Sequence, residues 1–542
     1  MFKGNVSSRR SRPSWCARAG HAAAPLALAL TAAASGLALV TRAANGAPTQ
    51  FLDVRDPLWR EIRMLELFPG PDFGDRIALP HLGSLPLELR ELEGAPDPAA
   101  HPSPVTAISL ARLERVLGRD PRAGWSPDPS HGATPRLYAS GPQDQRLEFS
   151  AGLEGSAEAD RDTATAASGT GLHLRAALAL DHWLVYSHLV VGHFDHARSF
   201  SDPAVANTDI TEITEESYIA YGSGDAAWGA QFGRDRWHWG PGDEGSLILS
   251  RSSAPLTALA YRGRLARLRL DGIVINATVD AAAGEQLAAH RLEWQPSRDL
   301  RLGLSEAARY HASGWSPLYL VGVIPYTLVQ RLQVQDEPDS TEALRNNVLF
   351  GIDAAWRLAP GTRLYGELAV DDLHAKTSDN PDKIAWQLGW DGAGMIGPQR
   401  LTWGAELTRV WRYVYTSYYG RTYAAQGMPI GFPTGPDSRR VRLHLDWDPS
   451  PAWQWSASAA STDQGEGTLS DAYVPGSPRV SASHFLGVVE HTSEGELGAR
   501  WWPAGGVDLA ATLGYRWVDN LAHVSGAQHD SPYGRVEFRL TR

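Results

Sequence analysis

Val441–Trp447 reads V-R-L-H-L-D-W, so that Val441, Leu443, Leu445 and Trp447 alternate with Arg442, His444 and Asp446. A period of two puts the apolar side chains on one face of a strand and the charged ones on the other. The pattern recurs on both sides of this stretch. Leu172, Leu174, Ala176, Leu178 and Leu180 are interleaved with His173 and Arg175, and Ile273, Ile275, Ala277 and Val279 with Asn276 and Thr278. Val507, Leu509, Ala511, Leu513, Tyr515 and Trp517 repeat it again. From about Leu137 onward there are roughly eighteen to twenty such runs, each of the ~9–11 residues that cross a bilayer. With no helical pattern between them, a parallel α/β sheet is excluded. A soluble sandwich or propeller, or a transmembrane antiparallel barrel, remains.

Three features favour the barrel. The face opposite the apolar one is charged almost everywhere, as a water-filled lumen allows. Trp183, Trp294, Trp390, Trp453, Trp455, Trp501 and Trp502 stand near strand ends, as an aromatic girdle does. The last run interleaves Val536, Phe538 and Leu540 with Arg535, Glu537 and Arg539, like the closing strand of an outer-membrane barrel, although the chain ends on Arg542 rather than an aromatic residue. Short links such as Pro360-Gly361 and Pro449-Ser450-Pro451 alternate with long ones at 199–214, 314–345, 418–438 and 464–481. In bacterial barrels the long loops face outward.

The rest of the chain fits that reading. Residues 1–44 are expected to be a signal peptide: Arg9, Arg10, Arg12 and Arg18 precede an apolar core at Ala22–Val40, and small residues follow at Ala43, Ala44 and Ala47. Its removal takes away Cys16, the only cysteine among 542 residues, which excludes a disulfide framework or a thiolate metal site. No apolar run of ~18 residues follows Val40, so no membrane helix is expected. Residues 45–135 read as a small periplasmic helical section, with helix starts at Asp56-Pro57 and Ser103-Pro104. Residues 136–542 form the barrel. A net charge of −11 excludes a nucleic-acid footprint.

Phe232–Leu249, F-G-R-D-R-W-H-W-G-P-G-D-E-G-S-L-I-L, is the densest stretch chemically. Arg234, Arg236, Trp237, Trp239 and Asp243 gather beside a Gly-Pro-Gly break. Indole faces stack on sugar rings and guanidinium groups bind carboxylates, so these five residues are candidates either for touching a polyhydroxylated or anionic ligand or for constricting the lumen. Glu367 and Asp371 share one face of a strand. A glycosidase would use such carboxylates in a pair; a lumen would pair them with arginines, for which Arg234, Arg236, Arg409 and Arg412 are candidates. His173, His188, His193 and His196 lack the spacing of a metal site and are read as structural. No Walker loop, dinucleotide fingerprint or Ser-His-Asp set stands out, and no cofactor or metal is expected.

Gly233–Leu247 resembles the Gly-Arg…Trp-Gly-Pro-Gly…Gly-Ser-Leu segment of the capsule-assembly Wzi family, with His238 as an insertion between the two tryptophans. Leu364–Asp372 (L-Y-G-E-L-A-V-D-D) is similar to the family's Tyr-x-Glu…Asp-Asp strand. Leu401–Tyr415 is similar to its Glu-bearing, Tyr-ending strand, and Tyr423–Pro436 to its Gly-x-Pro…Gly-Pro loop. The resemblance implies an outer-membrane β-barrel lectin of about eighteen strands with periplasmic helices before it. It implies no catalysis. The partners it implies are capsular or extracellular polysaccharide and outer-membrane lipid, with polysaccharide export machinery as a further candidate. The alternatives are a porin-like channel for small sugars or anions, and an outer-membrane enzyme acting through Glu367 and Asp371.

Overall fold

The computed structural model describes residues 58–68, 103–117, 136–140, 145–160, 165–180, 183–194, 210–222, 228–336, 345–372, 381–478, 480–503 and 507–541. The expected signal peptide lies outside them. The first hairpin joins β1 (Arg136–Ser140) to β2 (Gln145–Asp160). Then come β3 (Thr165–Leu180), β4 (Trp183–Phe194), β5 (Thr211–Gly222), β6 (Trp228–Asp235) and β7 (Leu256–Leu265). They are followed by β8 (Leu270–Asp280), β9 (Glu285–Trp294), β10 (Leu300–His311), β11 (Asn347–Ala359) and β12 (Thr362–Asp372). After β13 (Lys383–Ile396) and β14 (Gln399–Val410), a small ribbon of β15 (Ala424–Ala425) and β16 (Met428–Pro429) interrupts the series. It resumes with β17 (Ser438–Ser450), β18 (Trp453–Gln464), β19 (Glu490–Trp501), β20 (Val507–Asp519) and β21 (Gln528–Thr541).

Each long strand is antiparallel to its neighbour, and β21 returns to β2, with Tyr533 opposite Asp160 and Thr541 opposite Gly152. That pairing closes a barrel of eighteen strands. β1 takes the rest of the same edge of β2, with Ser140 opposite Leu147. No stave edge is left open over this length, and closure is what permits strands to cross a bilayer.

Burial is inverted relative to a soluble protein. In β12, Leu364 and Leu368 face out and are exposed, while Arg363, Tyr365, Glu367 and Asp371 face in and are buried. In β17, Val441, Leu443, Leu445 and Trp447 are likewise exposed. Exposed leucines continue to Leu497 and Leu513, at 67% and 72%. A continuous apolar exterior around a charged interior is the solvent preference of a membrane barrel. Trp183, Trp294, Trp453 and Trp501 are exposed at the ends of their strands, as a girdle requires. Trp502 differs from that expectation: it is buried, with the Arg112 guanidinium 4.3 Å from its ring centre.

The two ends differ. Links 360–361, 397–398 and 451–452 are short; links 236–255, 312–346, 411–437 and 465–489 at the other end are long. Two helices sit at the short-turn end, α1 (Leu58–Glu66) and α2 (Pro104–Leu117). Ser103 caps α2, its Oγ accepting the Thr106 N–H at 3.2 Å, as the Ser-Pro start predicts. Gly361 N–H donates to Leu67 O at 2.7 Å, and Arg112 Nε donates to Pro451 O at 3.3 Å. The long 312–346 link, read as plain loop in the sequence, carries α3 (Pro317–Val321) and α4 (Tyr326–Asp336). No described helix is long and apolar enough to cross a membrane.

Candidate functional site

The 236–255 segment between β6 and β7 turns inward and fills the lumen. Trp237, Trp239, Leu247, Ile248 and Leu249 are buried against the small inward residues of the wall, among them Ala258, Ala289, Ala307 and Ala369. Small wall residues leave room for large plug residues. A second inward loop, 411–437, joins the same apolar cluster through Tyr415, Tyr423, Ile430 and Phe432. The loops are tied together: Tyr415 Oη donates to Leu247 O at 2.8 Å, Tyr423 Oη to Ile248 O at 3.0 Å, and Ser250 N–H to Ile430 O at 2.9 Å.

An irregular segment inside a barrel must find partners for its backbone groups. Wall carboxylates supply them. Glu367 Oε1 accepts the Gly242 N–H at 3.1 Å, and its Oε2 accepts the Leu247 N–H at 2.9 Å and the Ser246 hydroxyl at 3.1 Å. Glu406 accepts the Asp243 N–H at 2.7 Å, the Glu244 N–H at 3.3 Å and the Tyr365 hydroxyl at 2.6 Å. Gln387 joins the plug to Glu406, donating to Gly245 O at 3.3 Å and to Glu406 at 3.0 Å. The Gly-Pro-Gly break explains itself here. Gly240 has φ +108°, and a Cβ there would overlap the Glu367 carboxylate, while one at Gly242 would meet Gln387.

Arginines arrive from three sides. Arg63 of α1 donates to Pro241 O at 2.8 Å and Gly242 O at 3.0 Å, and pairs with Asp243 and with Asp391 of β13, each at 3.0 Å. Arg442 reaches Asp243 at 3.4 Å, and Arg440 reaches Glu244 at 2.9 Å, both from β17. Burial alone would raise the Asp243 carboxyl, but Arg63, Arg251 and Arg442 together hold it well below the ordinary carboxylate range. Deeper at the short-turn end, Glu61 of α1 and Asp448 of β17 share Arg112 of α2 and Arg400 of β14. Arg112 pairs with Asp448 at 2.6 Å and with Glu61; Arg400 pairs with Asp448 at 2.6 Å and Glu61 at 2.9 Å. Burial raises the Glu61 carboxyl, yet Arg112 and Arg400 overcome it and the group ends strongly lowered. Loop and helices therefore meet inside one barrel, through Arg63.

The sequence candidates are distributed as follows. Arg236, Trp237, Trp239 and Asp243 belong to the plug, and Arg236 pairs with Glu215 of β5 at 2.8 Å. Arg234 falls on the strand parity of the exposed Trp228 and Phe232, and is half-buried. Glu367 and Asp371 do share the inner face. Their partners, however, are not Arg234, Arg236, Arg409 or Arg412. Glu367 holds the plug backbone; Asp371 accepts the Tyr415 N–H at 2.7 Å and lies 3.8 Å from Lys383. Arg409 donates to Val410 O at 2.9 Å, Ser438 O at 2.7 Å and Ser483 O at 3.0 Å, pinning the 465–489 loop, and Arg412 stacks on Tyr413 at 4.3 Å.

A family model described as capsule assembly protein Wzi matches residues 139–532. The chain belongs to the capsule-assembly Wzi family. No curated protein sequence matches it. Among solved structures it is similar to Wzi of Escherichia coli, an outer-membrane protein of group 1 capsule assembly that is itself a carbohydrate-binding β-barrel. The TM-score is 0.60 at 16% identity, over 92% of this chain and 100% of that one. OpdK and OprD of Pseudomonas aeruginosa follow at a TM-score of 0.41 and 10% identity, covering 73% and 75% of this chain and 98% and 97% of theirs.

The four stretches that carry the Wzi resemblance pack as a single unit. Gly242 and Leu247 hang from Glu367, Asp243 hangs from Glu406, and Tyr415 meets both the first stretch and, at Phe432, the fourth. Several functional partners escaped the sequence reading. Glu61, Arg63, Arg112, Asp391, Arg400 and Asp448 carry no local signal beyond being charged, although Glu61 does border the apolar face expected of α1. His173 and His188, expected to be structural, bond to each other at 2.8 Å, with His173 reaching Glu154 at 2.8 Å and His188 reaching Glu216 at 3.1 Å.

Proposed function

We infer that the chain is a non-catalytic polysaccharide-binding protein of the outer membrane that holds capsular or extracellular polysaccharide at the cell surface. The observation that carries this reading is the stitched lumen: the 236–255 loop bonded to Glu367 and Glu406, with Arg63 tying it to α1. A conducting pore needs an uninterrupted polar path, whereas a braced lumen supports a rigid platform of outward loops. Arg236, Trp237, Trp239 and Asp243 act in this reading as plug residues rather than ligand contacts. Polymer contact falls to the long-loop surface, where Tyr418 and Tyr419 are exposed as an edge-to-face pair 5.2 Å apart. Arg345 lies 5.7 Å from the Tyr419 ring centre. Aromatic faces with an adjacent guanidinium suit sugar rings bearing acidic substituents. Many weak contacts along a repeating polymer add up through multivalency.

The reading is non-catalytic because both oxygens of Glu367 accept plug N–H groups, while Asp371 accepts the Tyr415 N–H and faces Lys383, an arrangement that braces loops rather than flanks a glycosidic bond. The test scores cell-bound against released polymer in cells lacking the gene, complemented with the wild type or with Tyr418→Ala/Tyr419→Ala. Release from the deletion strain and from the double variant, at unchanged total synthesis, supports attachment. Unchanged retention together with lost small-solute uptake overturns it in favour of a channel.

A further inference from the structure

One sector of the outer wall breaks the barrel's own rule. On β9 the outward positions begin at the short-turn end with exposed Trp294 and Leu292, at 48% and 43%, but continue upward with His290, Ala288 and Gln286. On β10 the outward Leu304 is exposed and Glu306 follows it. On β8 the outward Asn276 is completely buried. The inward neighbours Ile275, Ala289 and Ala307 pack on the plug, so these polar residues point to the lipid side. Bare His, Glu and Asn at that depth would be strongly unfavourable in hydrocarbon.

They are not bare. Residues 312–336 bend over the rim and descend the outside of the wall. Tyr319, Tyr326 and Val329 pack on outward Ala288, Ala308 and Tyr310, and Tyr310 stacks on Tyr319 at 4.2 Å. Trp315 meets the outward Phe232 of β6, and Tyr261 of β7 donates its hydroxyl to Val321 O at 2.9 Å. Tyr261 lies ~17 Å along its strand from the outer end at Leu256, well below the rim. Glu306 accepts the Tyr326 N–H at 2.7 Å and the Thr327 N–H at 3.1 Å, and lies 3.3 Å from His290. The wall carboxylate thus caps the start of α4, whose free N–H groups would otherwise face an environment without water. The lobe covers the acid, and the acid makes the lobe's backbone tolerable.

What the lobe turns outward is apolar: Val321, Val323 and Leu328 are exposed at 52%, 83% and 46%. They continue the exposed belt of Leu292, Leu304, Phe350 and Ile352 on the flanking wall. We propose that the α3–α4 lobe is embedded beside the barrel in the outer leaflet, with Val321, Val323 and Leu328 in contact with lipid acyl chains. An extracellular loop thereby becomes part of the membrane-facing surface, in a sector where the strands themselves are polar.

The test places a nitroxide at Val323→Cys in a full-length chain carrying Cys16→Ser, reconstituted in phosphatidylcholine vesicles. Collision with oxygen, which concentrates in lipid, is compared with collision by a water-soluble nickel chelate. Leu513→Cys on the far wall and Tyr418→Cys on the outer loops serve as lipid and water references. The expected oxygen-to-nickel ratio at 323 matches that at 513 and is several-fold above that at 418. A ratio equal to that at 418 overturns the proposal, and so does inaccessibility to both reagents, which would indicate a protein partner on the lobe. Adding Glu306→Ala is expected to shift the 323 ratio toward the water reference while leaving 513 unchanged; no shift would remove the capping role.

Discussion

Glu215 and Glu216 are adjacent in sequence and yet both point into the lumen. A bulge in β5 sets Glu216 opposite His188 and Thr214 opposite Leu189, so that Glu215 is the extra residue of the bulge. The extra residue brings two consecutive side chains to one face. Glu215 grips Arg236 at the root of the plug, and Glu216 ends the Glu154–His173–His188 chain.

The plug root therefore depends on Glu215. Glu215→Ala leaves the buried Arg236 without its carboxylate, a change that costs about 3–5 kcal/mol when a buried pair loses one member. The expected outcome is a lower unfolding temperature of the detergent-solubilised barrel, read by loss of heat-modifiable gel mobility. An unchanged transition would mean that the pair with Glu215 is not what holds Arg236 in place.

Closure of the lumen should respond to Glu367. Glu367→Ala orphans three donors of the plug, at about 1–3 kcal/mol for each that stays buried and unmet. In planar bilayers the variant is expected to show ion conductance above wild type. Gly240→Ala should act in the same direction, because its side chain would occupy the space of the Glu367 carboxylate. Silent traces from both variants would show that the loop stays shut without these bonds.

Arg63→Ala separates helix from loop. It leaves Asp243 with Arg442 and Arg251 and Asp391 with Arg363, so the wall pairs survive while the link between α1 and the plug is cut. Faster proteolysis within residues 58–68, with the barrel itself intact, is the expected result; cleavage at the wild-type rate would count against the link.

Acid should loosen the plug from its brace. Asp243 and Glu61 both have folded-state values below the ordinary carboxylate range. The unfolded chain then binds more protons at low pH, so their contribution is complete above about pH 5 and is lost as pH falls through the carboxylate range. The unfolding temperature is expected to drop on acidification, and Asp243→Asn should flatten that dependence. An equal slope in wild type and variant would assign the acid response to other groups.

The period of two in Val441–Trp447 and its repeats determined the strands and which residues share each face, because alternation along one strand needs no information from elsewhere. Glycine placement was also legible: Gly240 and Gly242 announce a backbone that must come close to something. What they approach was not. Glu367 lies 125 residues from Gly242 and Asp391 lies 328 residues from Arg63, and no local pattern encodes such distances. The arginines expected to answer Glu367 turned to other carbonyls and carboxylates, since a buried carboxylate is satisfied equally by backbone N–H groups once a loop is folded against it. Asn276 read as a member of the polar face of its strand, yet in β8 the apolar Ile273, Ile275 and Ala277 turn inward onto the plug and Asn276 turns outward, which alternation alone did not reveal. Sequence settles which residues share one side of a strand. Only closure of the barrel and the folding of its long loops, 236–255 and 411–437 inward and α3–α4 outward, decide which way that side faces and what stands against it.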